Sequence, residues 1–271
     1  MGNRLSGDRS ERGVTGSGDA VVGEVARVLS AAGCVAAAEE AAELVAAAAG
    51  DAGGLGRMVE RRVTGEPLAW ITGTARFCGL EVGVAPGVYV PRWQSETLAR
   101  TAARLLPETG VAVDLCTGSG AVGLVLQAAR PGARVVGTES DPAAAACARR
   151  NGLEVVDGDL DGPLPDELAG RVDVLVGVLP YVPTGALHLL PRDVTAFEPR
   201  GALDGGEDGL AVVERAVRAG VRLLRAGGWL LLEVGTDQVP AAAGLLAGAG
   251  YRSLGAVEDP EGDLRGVRGR R

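Results

Sequence analysis

The sequence predicts an α/β fold, a mainly parallel sheet with helices on both faces. Three observations predict it. From Val111 onward, short runs of β-branched and apolar residues alternate with Ala- and Leu-rich stretches of helical length, the pattern of repeated βαβ units. The first run, Val111–Leu115, meets the next stretch through a turn of small residues, Cys116-Thr117-Gly118-Ser119-Gly120. Finally, 46% of the 271 residues are hydrophobic, enough to cover both faces of a sheet with core.

The elements follow in order. Met1–Asp19 is polar and Gly-rich, lacks the apolar centre of a signal segment, and is expected to be disordered. Ala20–Ala49 reads as two helices parted near Gly33, with a further short helix over Leu55–Val63, so residues 20–66 are expected to form a small helical domain. Residues 67–94 read as a β-hairpin linker, with extended segments at Trp70–Gly73, Leu80–Val84 and Val88–Pro91 broken by Gly and Pro. Residues 95–271 then form the α/β domain. Ser95 is a candidate cap for a helix running to Leu106. Strands are expected over Val111–Leu115, Val135–Glu139, Leu153–Val156, Val172–Val178, Gly228–Val234 and Arg252–Val257. Helices are expected over Ala121–Ala129, Pro142–Asn151, Leu210–Leu224 and Val239–Ala249.

Composition excludes several function classes. The formal net charge is −8, which disfavours binding to a phosphate backbone, since that needs a basic footprint. All basic residues are Arg, and the cluster Arg265, Arg268, Arg270 and Arg271 reads as a solvated tail. Four cysteines and one histidine, with no Cys-x-x-Cys pair, argue against a metal site or a disulfide framework. Free thiols suit a reducing, cytoplasmic setting, and the absence of a long uncharged apolar run argues against a membrane span.

The turn after Leu115 carries the chemistry. Gly118 and Gly120 permit positive φ and a close approach of ligand to backbone, and the helix that opens at Ala121 offers unpaired amides. Glu139 ends the next strand, where a carboxylate can accept from both hydroxyls of a ribose. Two cofactors suit such a site. Gly118-Ser119-Gly120-Ala121-Val122-Gly123 formally matches the dinucleotide fingerprint Gly-x-Gly-x-x-Gly, so an NAD-dependent dehydrogenase is one reading. The turn is longer than a pyrophosphate loop needs, however, and Asp114 stands where a methyltransferase places an acid near the methionine end of S-adenosylmethionine.

Four separated segments resemble the HemK/PrmC family of protein-glutamine N5-methyltransferases. They are Gly65-Glu66-Pro67-Leu68-Ala69-Trp70-Ile71-Thr72-Gly73 with Phe77, then Val90-Pro91-Arg92 with Ser95-Glu96 and Leu98, then Asp114–Gly120, and finally Phe197-Glu198-Pro199-Arg200 through Asp208-Gly209-Leu210. The resemblance spans residues 60–271. It implies a helical domain, a β-hairpin linker and a Rossmann-like class I methyltransferase sheet. It also implies S-adenosylmethionine at Asp114, Cys116, Thr117, Gly118, Ser119, Gly120 and Glu139, with Asp159 and Leu160 at the adenine. Cys116 replaces the family's first glycine, and this substitution is harmless if its φ is negative. The implied partner is a protein glutamine, on a release-factor-like or ribosomal protein.

The active-site loop departs from that pattern. The family's Asn-Pro-Pro-Tyr is here Val178-Leu179-Pro180-Tyr181. A carboxamide nitrogen is a poor nucleophile because its lone pair is delocalised, and the family's Asn orients it by accepting from its NH₂. Val178 has no acceptor, and loss of one transition-state hydrogen bond costs roughly 3 kcal/mol. A small-molecule acceptor with a different nucleophile, or a cofactor-binding pseudo-enzyme, are the alternatives this opens. Arg92 and Glu96 are candidates for the substrate mouth beside Val178 and Tyr181. Glu198 and Arg200 are expected to brace the loop by pairing with one another, and His188 and Asp193 are further polar residues beyond Tyr181.

Overall fold

The structure is a computed structural model that describes residues 15–271, with side chains from residue 18. It divides into two compact units at Thr72 and Gly73. The disorder expected up to Asp19 falls outside the described residues as far as residue 14, and from Thr15 the chain is helical.

Among the described residues the first unit holds four helices, α1 (Thr15–Ala31), α2 (Ala37–Ala48), α3 (Ala52–Val63) and α4 (Leu68–Thr72). Its core is small, consisting of Val25 and Leu29 of α1, Ala41 and Leu44 of α2, and Ile71 of α4. The Glu40 carboxylate fastens α2 to α3 by accepting from Arg62 Nε at 2.7 Å. Trp70–Gly73 was expected to be extended. Trp70 to Thr72 lie instead in α4, because Pro67 starts a turn in which its carbonyl accepts from Trp70 N and Ile71 N and tertiary burial outweighs β propensity.

The second unit opens with a hairpin of β1 (Thr74–Phe77) and β2 (Leu80–Gly83), paired Phe77 to Leu80. Val88–Pro91, expected as extended, forms no strand. A single 3₁₀ turn, Trp93–Ser95, leads into α5 (Glu96–Leu105), and Ser95 makes no side-chain cap bond. Then come β3 (Val111–Leu115), α6 (Ala121–Ala129), β4 (Arg134–Glu139), α7 (Pro142–Arg150), β5 (Glu154–Asp157) and β6 (Val172–Gly177). They are followed by α8 (Arg192–Phe197), α9 (Ala211–Leu223), β7 (Leu224–Glu233), α10 (Val239–Gly248), β8 (Arg252–Glu258) and β9 (Leu264–Arg270).

The sheet runs β5-β4-β3-β6-β7-β9-β8, with β3 to β7 parallel and β9 antiparallel to both of its neighbours. Side chains alternate between its two faces. Leu175 of β6 packs toward α9 and α10 with Val213, Val217 and Leu246. Val174 and Val176 pack toward α5 and α6 with Leu98, Ala102 and Val125. From β3 the chain turns one way to β4 and β5, then returns to the other side for β6. That reversal leaves a crevice at the carboxyl ends of β3 and β6, where open sheets of this kind bind ligands.

The Arg-rich segment is not the expected solvated tail. It forms β9 and is inserted between β7 and β8, with Leu231 opposite Arg268 and Trp229 opposite Arg270. The guanidinium groups of Arg268 and Arg270 lie over the Trp229 ring at 5.7 and 5.9 Å, so the long side chains cover an aromatic surface; Arg270 is exposed, whereas Arg268 Nε is buried.

Candidate functional site

Two cavities meet at the carboxyl ends of β3, β4, β6 and β7. The first has a volume of about 510 Å³ and is walled by the turn after β3, the end of β4 and Asp159, with Val178 and Pro180 on its far side. The second, about 620 Å³, lies beyond Val178 and is walled by Tyr181, Glu233 and Arg265. Val178, Tyr89, Arg92 and Ala202 border both.

The turn after β3 is built by short-range bonds. Asp114, one residue before the end of β3, is fully buried, and its Oδ2 accepts from Thr117 Oγ1 at 2.5 Å and from Gly123 N at 3.0 Å. Burial holds its carboxyl up at about 7, even though both donors favour the charged form and only Glu139 adds to the rise. Gly118 and Gly120 take φ of 59° and 89°, and a Cβ at Gly118 would stand in open space, leaving that backbone clear for a ligand. Glu139 accepts from Gly118 N through Oε2 and from Asp141 N through Oε1, both at 2.9 Å. This fixes the carboxylate at the cavity wall while each oxygen keeps a lone pair.

Cys116 departs from expectation. Its φ is +53°, a left-handed conformation that its glycine counterpart adopts without strain and that costs an L-residue about 1–2 kcal/mol. Burial, followed by the Glu139, Asp114 and Asp159 carboxylates, pushes its thiol up, so it stays protonated and is no nucleophile.

Not every expected residue reaches the cavities. Asp159 lines the first, but Leu160 turns into the core below the sheet. Glu96 lines neither. It accepts from Cys78 N at 2.8 Å and Arg100 Nη2 at 2.6 Å, tying the hairpin to α5. Glu198 and Arg200 do not pair with one another. Glu198 is buried against Arg92, whose guanidinium lies 5.2 Å from the Tyr89 ring centre. Arg200 pairs with Asp204 at 2.9 Å. His188 is exposed and lines neither cavity, whereas Asp193 lines the second.

The Val178–Tyr181 loop is held by remote segments. Just beyond it, Val182 N donates to Leu203 O at 3.0 Å, and Val182 O accepts from Gly205 N at 2.8 Å. Gln238 Nε2 donates to Tyr181 O and to Asp208 O, each at 2.9 Å. Tyr181 Oη donates to Glu233 Oε1 at 3.1 Å. Residues 198–210 thus form a strap along the loop, which gives the fourth sequence segment a physical purpose. Gln238, Glu233 and Tyr89 were absent from the sequence-derived site. A lone Glu at a strand end or Gln before a helix looks like ordinary surface; the β6–β7 register brings Glu233 to the loop, and its hydrogen bonds to Tyr181 O and Asp208 O place Gln238 there.

Comparison with known proteins now decides the family. No family model matches the chain. It is 38% identical over 219 residues to the release factor glutamine methyltransferase of Geobacter sulfurreducens, covering 79% of this chain and 76% of that protein. The chain belongs to the release factor glutamine methyltransferase family. It is therefore an S-adenosylmethionine-dependent methyltransferase, and the dehydrogenase reading falls. A second relative, the 4-amino-L-phenylalanine/4-methylamino-L-phenylalanine methyltransferase of Streptomyces pristinaespiralis, is 41% identical over 203 residues, 71% of this chain and 69% of that one. Among solved structures, a methyltransferase from Pyrococcus furiosus superposes with a TM-score of 0.52 at 19% identity, over 71% of this chain and 89% of its own, a likeness of fold. Among the described residues no helix is long and apolar enough to cross a membrane, and no group of side chains is placed to hold a metal ion.

Proposed function

We propose that this methyltransferase holds S-adenosylmethionine in the first cavity and passes its methyl group to an amine on a small molecule, rather than to the carboxamide of a protein glutamine. Asp114, Cys116, Thr117, Gly118, Ser119, Glu139 and Asp159 hold the cofactor in this reading. Carboxylates face its cationic and ribose portions, and the open backbone at Gly118 admits it. The cofactor supplies an electrophilic methyl on a sulfonium. The protein supplies the position and environment of the attacking atom, in which much of such catalysis resides.

Val178 is the observation that carries the acceptor reading. It stands on the wall shared by both cavities and has no side-chain acceptor with which to orient an amide NH₂. An amine keeps its own lone pair and does not need that help. The second cavity, about 620 Å³, has room for a compact molecule. One relative is named for action on an amine of that kind. A second reading, a glutamine on a release-factor-like or ribosomal protein, draws on the name of the Geobacter relative.

Transfer of labelled methyl to a panel of amines and to a protein bearing a Gly-Gly-Gln loop separates the two. The expected result is transfer to an amine, with the glutamine slower by roughly a hundredfold. Val178→Asn should raise the glutamine rate. Rapid, stoichiometric methylation of the glutamine by the unaltered chain would overturn the amine reading.

A further inference from the structure

Among the described residues, two guanidinium groups and two carboxylates line the second cavity, and three of the four are committed within the protein. Arg92 is paired with Glu198, and Arg265 with both Asp259 and Asp263. Glu233 is buried between the hydroxyls of Tyr181 and Ser95. Asp193 is different. It is only half-buried, its Oδ1 accepts from the adjacent Val194 N at 3.1 Å, and no Arg of the described residues forms an ion pair with it. Its charge is nonetheless felt at the cavity wall. The Glu198 carboxyl is held above its ordinary range, first by burial and against the pull of Arg92, with Asp193 adding to the rise. The cavity is thus left with an excess of negative charge.

Position separates Asp193 from the reacting end. Val178, Tyr89, Arg92 and Ala202 border both cavities, whereas Asp193 lines the second alone, as do Trp93, Thr236 and Arg265. A sulfonium in the first cavity repels a second cation, so a cationic part of the acceptor is best held off the shared wall. We infer that Asp193 anchors the acceptor by a protonated nitrogen, so that the substrate class is a molecule with two amines, one cationic and held at Asp193, the other neutral and presented beside Val178. This deepens the amine reading and rests on it. The protonated nitrogen has no lone pair and is not methylated, so the charge that fixes the molecule also selects which of its nitrogens reacts. At the other end, the lone pair of the neutral nitrogen forms the C–N bond as the C–S bond breaks, sulfur keeps the bonding pair, and the cationic product nitrogen releases a proton to water. Asp193 touches no reacting atom and determines specificity alone.

Calorimetry in the presence of the demethylated cofactor compares 4-(2-aminoethyl)aniline with 4-ethylaniline. Both carry an aryl nitrogen that is neutral near pH 7, and only the first carries an ammonium. The unaltered protein is expected to bind the first about tenfold more tightly, a preference that shrinks as salt screens the pair. Asp193→Asn should abolish it, with the diamine bound about tenfold more weakly and 4-ethylaniline as before. In transfer assays the loss should fall on KM rather than kcat. A variant that keeps the preference, including one that weakens both ligands alike, overturns the assignment. So does an unaltered protein that shows no preference or binds neither compound. Should Asp193→Asn fail to fold, the salt dependence of the unaltered protein decides, and a preference indifferent to salt refutes Asp193. The binding comparison needs no turnover. If the chain methylates the protein glutamine and neither amine, the amine reading fails on its own, and the ligand preference still upholds or refutes Asp193 as the cation-binding group.

Discussion

The loops after β3 and β6 lie side by side at the carboxyl edge of one sheet, yet they are built in different ways. The first is held within a single β–α–β unit and the helix after it. Asp114 binds Thr117 and Gly123, and Thr117 N reaches Thr138 O at 3.0 Å. The second is held from outside its own unit, by Leu203 and Gly205 at Val182 and, 52 and 57 residues away, by Glu233 and Gln238 at Tyr181. A loop made by local bonds tolerates change in the rest of the molecule. A loop made by remote bonds can alter its first residues, as at Val178 and Leu179, while its frame stays in place. The donor side of the site is therefore the constant half and the acceptor side the adaptable one.

The largest predicted effect strikes the adaptable half. Gly209 has a φ of 76°, and a Cβ there would lie 2.2 Å from Tyr181 O and 2.3 Å from Gln238 Nε2. Gly209→Ala should lose about 2–4 kcal/mol of stability in urea unfolding and most methyl transfer, while the residual folded protein binds the cofactor normally. Equal damage to cofactor binding would break the contrast between the loops.

A smaller effect is expected in the constant half. The fold favours neutral Asp114, so its contribution to stability is complete below the usual carboxylate range and is lost as pH rises through about 7. A cationic cofactor prefers the ionised form, so its affinity should climb toward tenfold per pH unit below 7 and level off above. Asp114→Asn should flatten that curve in calorimetry across pH 5–9.

Cys116 gives the smallest effect. Cys116→Gly removes left-handed strain of about 1 kcal/mol but loosens the unfolded chain by a similar amount, so Tm should scarcely move. Cys116→Val keeps the strain and adds a β-branch, costing about 2 kcal/mol in thermal unfolding. A large gain in stability from Cys116→Gly would show that the strain has been undervalued.

Much of this molecule was legible in the sequence, and the exceptions share a cause. The β3–α6 unit was legible because a β-branched strand, a small-residue turn and an apolar helix announce themselves within a short window. Trp70–Thr72 misled because its residues favour strand and only Pro67 and burial make it helical. β9 was hidden because alternating Arg looks solvated until Trp229 is known to lie beneath two of those side chains. Cys116, Leu160, Glu96 and Glu198 were recognised as residues of interest, but their conformation or partner depended on chain they do not adjoin. Glu233 was missed altogether, since its meaning comes from strand register.

The placement of β9 also sets an order of assembly. β8 precedes β9 in the chain, pairs with it as an antiparallel hairpin, and reaches the rest of the described sheet through β9, which pairs with β7. The parallel strands can associate as each is connected, whereas β8 joins the sheet only as one arm of the β8–β9 hairpin, when β9 docks on β7. Folding kinetics should therefore show this edge closing last, with substitutions at Val257 and Val267 chiefly accelerating unfolding and leaving the rate of folding almost untouched.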